Sequence, residues 1–473
     1  MEQSSAPLWE QLKQFQEKER IWLHVPAHSG GFGLPLEMAT DFSTYARFDL
    51  TELPGLDDLH HPSGVIAQAQ ALAAQVWQAK QSYFLVNGAS AGVRAMVLAT
   101  CNPGDTILIP RNAHGSLYHA LVFSGAIPRY LPIAEGDGFP LNVTVEAVSE
   151  GFKRYPEAKA LFLTSPSYFG VTANIGKIAA IVRQAKAYLL VDEAHGGHLD
   201  FSVQLPSSAA LFCDMRVQSW HKTLGALTPG AVLHCHSERV DKKRLLMALH
   251  GVQTSSPPYP LLASLDLVRQ RMALTGEEVV QSVVATAATV RKLLASHFPL
   301  LTREDVKMQG FDLDVTRITL LTAQVGLSGI DIGHQLASKG IDIELALPDC
   351  VLAIVGLGYK KEGNRRLATV LDALIATKGD VAMLPLPDLP ELVLTPRQAA
   401  YRRVVGIQLS EAEGSIAATT VVSYPPGIPL LLPGERISCE LIGYIENALE
   451  CGVILRGLDN CQHIQVCKDE VSE

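Results

Sequence analysis

Between residues 65 and 236 of this 473-residue chain, short apolar runs alternate with segments of helical periodicity. Buried strands separated by helices of about a dozen residues are typical of a mainly parallel sheet that is covered on both faces. The chain is therefore predicted to be an α/β protein. Groups that bind ligands are expected in the loops that follow the carboxyl ends of the strands. The candidate strands are YFLV (83–86), TILIP (106–110), KALFLT (159–164), AYLLVD (187–192), RVQS (216–219) and AVLHC (231–235), and the candidate helices lie near 65–79, 89–100, 115–125, 143–152 and 174–186.

The pattern changes on both sides of this alternation. Residues 8–20 predict a short amphipathic helix, and 24–64 form a loop-rich arm. A long helical pattern covers 262–297, and TRITLLTAQV and CVLAIVGLG predict strands in a different arrangement beyond it. We therefore expect an N-terminal helix and arm (1–64), a large domain that includes a linker helix (65–297), and a smaller α+β domain (298–473).

Composition excludes several classes of function. The net charge of −9 argues against a nucleic-acid partner, which requires clustered Lys and Arg. The sequence contains no apolar run of about 18 residues that could span a membrane. Its eight cysteines form no CxxC pair, which argues against a zinc ribbon and is typical of reduced thiols. Because the N-terminus is also unlike a signal peptide, a cytoplasmic protein is expected.

The stretch VDEAHGGH (191–198) concentrates carboxylates and histidines at the end of a candidate strand. A helicase DEAH box requires a phosphate-binding loop of the form GxxxxGK[ST], and the sequence contains none. A metal site would use His195 and His198, but the two glycines between them disfavour a helix and no HExxH motif completes the ligand set. Neither a nucleotide motor nor a metal site is predicted.

A third interpretation requires a lysine, and Lys222 lies thirty residues after Asp192, directly beyond the candidate strand RVQS. The aldehyde of pyridoxal 5'-phosphate (PLP) forms an imine with a lysine amine. Its pyridine nitrogen stays protonated beside a carboxylate, a role that Asp192 could fill. Its phosphate requires backbone amides at a helix N-terminus, and NGASAG (87–92) lies between a strand and an apolar helix. The three features in this order indicate a PLP site.

The residues around these features are similar to those of the Orn/Lys/Arg decarboxylase family, in its short form without an N-terminal wing domain. The resemblance covers nearly the whole chain. It rests on seven segments in order: DLTELPGLDDLHHPSGVIAQAQ (49–70), FLVNGASAG (84–92), RNAHGSLYHA (111–120), VDEAHGGH (191–198), SWHKTLGALT (219–228), TSSPPYPLLASLD (254–266) and YPPGIPLLLPGE (424–435).

The resemblance implies a fold-type-I PLP enzyme of the aspartate aminotransferase-like class, with a mostly parallel sheet in the PLP-binding large domain. It also implies a role for each matching residue. Lys222 would form the imine, and Asp192 would face the pyridine nitrogen. His114 would stack on the ring, and Ala194 would pack on its other face. The phosphate would be held by Ser90, Ala91, Ser219 and His221, a neighbouring subunit's site would be completed by Thr254 and Ser255, and the distal cationic group of the substrate would be bound by Glu435.

Two of these roles have structural alternatives, and three positions depart from the family pattern. His114 could instead be a helix-capping or core histidine, and Glu435 could cap a helix that starts near Ser438. Ser29 stands where the family usually has a lysine, Ala89 where a hydroxyl residue is common, and Pro229 follows LT where a glutamine is usual.

The implied reaction is decarboxylation of arginine, lysine or ornithine to agmatine, cadaverine or putrescine, with arginine slightly favoured. A homodimer or a dimer of dimers with shared active sites is expected. Two alternatives stay open at this point. The first is another reaction of the same fold, such as transamination or β-elimination. The second is a non-catalytic protein that keeps the fold.

Overall fold

The computed structural model describes residues 2–136, 139–374, 387–423 and 427–468. The first three residues of the segment YPPGIPLLLPGE, 424–426, lie outside the described residues. The helices are α1 (Pro7–Gln16), α2 (Leu36–Ala46), α3 (Val65–Val76), α4 (Gly88–Thr100), α5 (Ser116–Ser124), α6 (Val145–Arg154), α7 (Ile175–Gln184), α8 (Trp220–Thr223), α9 (Lys242–Val252), α10 (Tyr259–Ala295), α11 (Arg303–Lys307), α12 (Gly329–Ser338), α13 (Gly363–Asp372), α14 (Pro396–Ala400) and α15 (Cys439–Glu450).

All six candidate strands are present among nineteen strands in the described ranges. The strands are β1 (Gln81–Leu85), β2 (Thr106–Pro110), β3 (Ile127–Leu131), β4 (Glu135–Gly136), β5 (Phe139–Pro140), β6 (Ala160–Thr164), β7 (Val171–Thr172), β8 (Tyr188–Asp192), β9 (Met215–Gln218), β10 (Ala231–Cys235), β11 (Asp312–Leu313), β12 (Arg317–Leu320), β13 (Leu345–Ala346), β14 (Val351–Ile354), β15 (Val404–Gln408), β16 (Val421–Ser423), β17 (Ile428–Leu431), β18 (Leu455–Arg456) and β19 (His463–Cys467).

The chain forms two compact units, each built from several segments. The first unit comprises Met1–Ala99, Leu190–Val203 and Ser207–Gln281, and the second comprises Thr100–Leu189, Gln204–Pro206 and Ser282–Glu473. The division into consecutive domains expected from the sequence stays a prediction.

In the first unit, β1, β10, β9 and β8 lie side by side in that order. β8 and β9 are parallel, with Asp192 opposite Val217. β10 runs antiparallel to both of its neighbours, β1 and β9. All the residues of β9 and β10 are buried, including the polar side chains of Arg216, Gln218 and His234.

In the second unit, β6, β2 and β3 lie side by side and are parallel. The later part of this unit adds the antiparallel sheet β12-β14-β13. Its core contains Ala287, Val290 and Leu294 from the end of α10. The helices and mostly parallel strands confirm the predicted α/β class. Within the described ranges, no helix is long and apolar enough to cross a membrane.

Candidate active site

Asp192 is the last residue of β8, and its side chain is buried. Its Oδ1 atom accepts a hydrogen bond of 3.0 Å from the backbone N–H of Ala194, which holds the carboxylate at the turn. Because β8 and β9 are parallel, their carboxyl ends lie at the same edge of the sheet. Ser219, the first residue after β9, donates its N–H to the carbonyl of Ala194 at 3.4 Å. Asp192, Ala194 and Ser219 therefore lie close together.

Lys222 lies on the short helix α8, one turn beyond Ser219. Its backbone N–H donates to the carbonyl of Ser219 at 3.0 Å. The helix is anchored by Trp220, which is fully buried and stacks on Trp77 with 4.2 Å between the ring centroids. Lys222 itself is exposed, and its Nζ atom lies 3.0 Å from Nε2 of His195. The amine therefore lies at the end of the sheet that carries Asp192.

A buried polar cluster, formed by Glu193, Asp200, Arg216 and Gln218, fixes the turn after Asp192. Oε2 of Glu193 accepts 2.7 Å hydrogen bonds from Arg216 and Gln218, and Oε1 accepts one of 2.7 Å from the backbone N–H of Ala209. Arg216 also binds Asp200, with Nη1 3.0 Å from Oδ2. Burial raises the pKa of the Glu193 carboxyl, and Arg216 opposes that effect.

Sequence reasoning missed this cluster, although a signal was present. Arg216 and Gln218 are two residues apart on β9, so their side chains point to the same face of the sheet. Two polar side chains on one face of an otherwise apolar strand require buried partners. Glu193 and Asp200, in the loop after the neighbouring strand, are those partners.

The predicted phosphate cradle is the start of α4. Gly88 begins the helix with a φ of +74°, a conformation that glycine adopts without strain. A Cβ atom added to Gly92 would lie 2.6 Å from Cγ2 of Val217 and 2.8 Å from Cδ1 of Leu85, so α4 packs directly on β9 and β1. Ser90 and Ala91 lie in the first turn, where backbone N–H groups have no helical partner and can bind an anion.

His221 and Pro229 belong to the same region. Nδ1 of His221 lies 2.9 Å from the carbonyl oxygen of Gly230, and burial lowers the pKa of this histidine. The side chain of Pro229, one of the departures from the family pattern, would lie 3.6 Å from a Cβ atom added to Gly88. Pro229 therefore lies beside the turn at the start of α4, where the phosphate cradle is predicted.

Thr254 and Ser255 are exposed and lie near the same turn of their own chain. The backbone N–H of Thr254 donates to Oδ1 of Asn87 at 3.0 Å, and its carbonyl lies 2.8 Å from Nε2 of His60. Their contribution to a neighbouring subunit's site stays a prediction.

His114 and Glu435 both lie in the second unit. His114 precedes α5, and its Nδ1 atom accepts a hydrogen bond of 3.1 Å from the backbone N–H of Ser116. This contact matches the capping alternative for the histidine, whose side chain is nevertheless exposed. The stacking role of His114 stays a prediction.

Glu435 is fully buried and forms a bidentate ion pair with Arg111. Nη1 of Arg111 lies 2.6 Å from Oε1, Nη2 lies 2.9 Å from Oε2, and the backbone N–H of Leu432 donates to Oε2 at 2.7 Å. The cap of α15 is Ser438 and not Glu435, so the capping alternative for Glu435 is wrong. The carboxylate here binds a guanidinium of its own chain. The predicted contact of Glu435 with a substrate cation stays a prediction.

The arrangement in the first unit fits PLP. It combines a lysine amine, a buried carboxylate at the end of the adjacent strand, and the N-terminus of a thirteen-residue helix that packs on the same sheet. An α/β fold with this set of groups defines the class of fold-type-I PLP enzymes.

Comparisons with known proteins place the chain within that class. It matches the family models described as "Orn/Lys/Arg decarboxylase, major domain" over residues 6–316 and "Orn/Lys/Arg decarboxylase, C-terminal domain" over residues 382–463. The chain therefore belongs to the Orn/Lys/Arg decarboxylase family. It is a PLP-dependent carboxy-lyase that acts on a basic amino acid, and the predicted fold class, cofactor and enzyme class are confirmed.

Three relatives illustrate the relationship. The chain is 35% identical to the arginine decarboxylase of Bacillus subtilis (strain 168), with 99% of each chain covered. It is 23% identical to the lysine decarboxylase LdcA of Pseudomonas aeruginosa, over 97% of this chain and 78% of that enzyme. The crystal structure of the Francisella novicida lysine decarboxylase LdcF superposes with a TM-score of 0.88 at 21% identity, covering 98% of this chain and 81% of that one. This last likeness concerns the fold.

Proposed function

We propose that the chain decarboxylates arginine to agmatine and CO2. The observation that carries the choice of substrate is the match along the full length to an arginine decarboxylase at 35% identity, against 23% for a lysine decarboxylase. A second argument is chemical. A guanidinium is recognised best by a carboxylate that binds it with both oxygens, and Glu435 binds the guanidinium of Arg111 in this way.

For the catalytic groups we propose Lys222, Asp192 and His114. When bound, the cofactor supplies an electron sink for the pair left behind as CO2 departs. Lys222 would carry the cofactor through its Nζ atom. Asp192, held by the N–H of Ala194, would keep a proton on the ring nitrogen that it faces. His114 would hold the plane of the ring, and Ala194 would pack on its other face.

The phosphate would be held by the start of α4 together with the loop before α8. Ser90 and Ala91 offer the first-turn amides, and Ser219 and His221 flank Lys222. Thr254 and Ser255 would complete the site of a neighbouring subunit. Glu435 is our candidate for the distal cation, in competition with its present partner Arg111.

The test is an assay of the purified protein with PLP and arginine, lysine or ornithine, measuring CO2 and amine for each. We expect agmatine and CO2 from arginine with the highest kcat/KM. The variant Lys222→Ala is the control and should release no CO2. Faster release from lysine or ornithine would contradict the substrate, whereas a keto acid formed without CO2 would contradict the reaction.

We also propose that the protein is a homodimer or a dimer of dimers with shared active sites. The arm exposes large apolar side chains that a partner copy would cover, with exposed fractions of 67% for Val25, 90% for Phe32 and 87% for Leu36. We further propose a cytoplasmic location, which is supported by eight cysteines that are all free thiols.

A further inference from the structure

In the first unit, the amine of Lys222 makes a polar contact with His195. Nζ of Lys222 lies 3.0 Å from Nε2 of His195, which is 8% exposed. A lysine ammonium has donors and no acceptor, so Nε2 accepts this hydrogen bond when the amine is protonated, and the neutral imidazole then carries its proton on Nδ1. From the sequence, His195 is considered only as a possible metal ligand, and no metal site is predicted.

The contact is held by the packing of the loop on α8. A Cβ atom added to Gly197 would lie 2.9 Å from Oγ1 of Thr223 and 3.4 Å from Cδ1 of Trp220, so only glycine lets the loop lie this close to the helix. The hydrogen bond from Ser219 to Ala194 joins the two segments at a second point. The buried cluster around Glu193 fixes the loop from the other side.

Formation of an imine by Lys222 requires a group that accepts a proton from its ammonium. The ordinary pKa of a lysine amine is about 10.4 and that of a histidine about 6.5, so at neutral pH a lysine amine is usually protonated and an imidazole usually neutral. Only the deprotonated amine has an electron pair with which to form a bond to an aldehyde carbon.

We propose that His195 is a further catalytic residue, the proton acceptor and donor for Lys222. It takes one proton from the Lys222 ammonium, and the amine forms its bond to the carbon of the aldehyde. His195 then returns that proton to the former carbonyl oxygen, takes a second proton from the nitrogen and passes it to the same oxygen, which leaves as water. The product is a protonated imine, so charge and protons balance and His195 ends as it began. This inference rests on the proposed role of Lys222.

Several titratable groups of the first unit surround the imidazole. Asp192, Glu193 and His198 lie on its own loop, and His221 lies beside Lys222 on α8. The carboxylate of Glu193 is bound to Arg216, and Nδ1 of His221 contacts the carbonyl of Gly230. Nε2 of His195 lies at hydrogen-bond distance from Nζ of Lys222.

The experiment measures imine formation and not turnover. PLP is added to the apoprotein, and the visible band of the imine is followed over a range of pH, with borohydride trapping and peptide mapping to locate it. The variant is His195→Gln, whose amide can occupy a similar position but cannot accept the proton. His198→Gln, three residues further along the loop, is the matched control. Binding of pyridoxamine 5'-phosphate, which has no aldehyde, measures whether the cofactor site is intact.

For His195→Gln we expect a rate of imine formation at least about 100-fold lower, a typical effect of losing a general acid–base group. Binding of pyridoxamine 5'-phosphate should stay within about twofold, since electrostatic and packing contacts with the cofactor are kept. His198→Gln should match the unmodified protein in both measurements. An unchanged rate in His195→Gln would overturn the inference, as would an equal loss of imine formation and of pyridoxamine 5'-phosphate binding. A label at a residue other than Lys222 would overturn the proposed function itself.

Discussion

At the scale of single residues, the ion pair between Arg111 and Glu435 joins positions 324 residues apart in the chain. Burial opposes the charge on Arg111, but the adjacent carboxylate of Glu435 raises the pKa of the guanidinium overall. Removing one partner of a buried pair leaves an uncompensated charge, which is far more costly than losing a pair at the surface.

Glu435→Gln is therefore expected to lower the free energy of unfolding by about 3–5 kcal/mol, measured by urea denaturation. The matched control is Glu391→Gln, because Glu391 pairs with Arg436 at the surface and its loss should cost less than about 1 kcal/mol. Unchanged stability in Glu435→Gln would contradict the structural role of the pair, and a raised KM for arginine would support the proposed contact of Glu435 with the substrate.

At the scale of elements, the position of α4 depends on its direct packing against β9 and β1. The absence of a side chain at Gly92 permits this approach, and the first turn of the same helix is the proposed phosphate cradle. A displaced helix would therefore affect both the core and the cofactor site.

We expect Gly92→Ala to cost about 1–3 kcal/mol of stability through overpacking, and to weaken PLP binding as well. Thermal unfolding of the apoprotein and titration with PLP measure the two effects. Gly251→Ala in α9 is the control, because no atom lies within 4 Å of an added Cβ and the change should be neutral or slightly stabilising. Normal PLP affinity in Gly92→Ala would show that the cradle does not depend on this contact.

At the scale of the whole molecule, buried and partly buried histidines make stability depend on pH. Burial lowers the pKa of His236 to about 4 and also lowers the pKa values of His221 and His234. Nε2 of His236 accepts a hydrogen bond from Arg216, which requires a neutral ring. Between its folded pKa of about 4 and the usual histidine value of about 6.5, the unfolded state binds more protons.

The contribution of His236 to the free energy of unfolding should therefore be fully present above about pH 6.5. It should be lost as the pH drops from there towards 4. Urea denaturation at a series of pH values measures this slope. The variant His236→Gln should show a shallower slope over the same interval. An equal slope would mean that other groups carry the pH dependence.

The proposed dimer is also a property of the whole molecule. The double variant Phe32→Ser, Leu36→Ser removes two exposed apolar side chains of the arm and should favour the monomer, with loss of activity if the sites are shared. Analytical ultracentrifugation measures the change. Val203→Ser is the control, since Val203 is also fully exposed but lies outside the arm. A dimer that persists in the double variant would contradict an interface formed by these side chains.

The local pattern of the sequence determined the strands and most of the helices. The predicted runs correspond to β1, β2, β6, β8, β9 and β10, and the long pattern over 262–297 corresponds to α10. Periodicity is a property of neighbouring residues, so it can be read without knowing what packs against them. The order of Asp192, Lys222 and the small residues before α4 was likewise sufficient to indicate the cofactor.

Only the tertiary structure decided which side chains meet. The antiparallel direction of β10, the cluster of Glu193 with Arg216 and Gln218, and the binding of Arg111 by Glu435 each depend on segments that are distant in sequence. The contact between Lys222 and His195 also depends on the tertiary structure, because Gly197 lets the loop after β8 lie against α8. Buried polar groups meet their hydrogen-bond partners through packing between elements, and the local periodicity of the sequence does not indicate which residues those partners are.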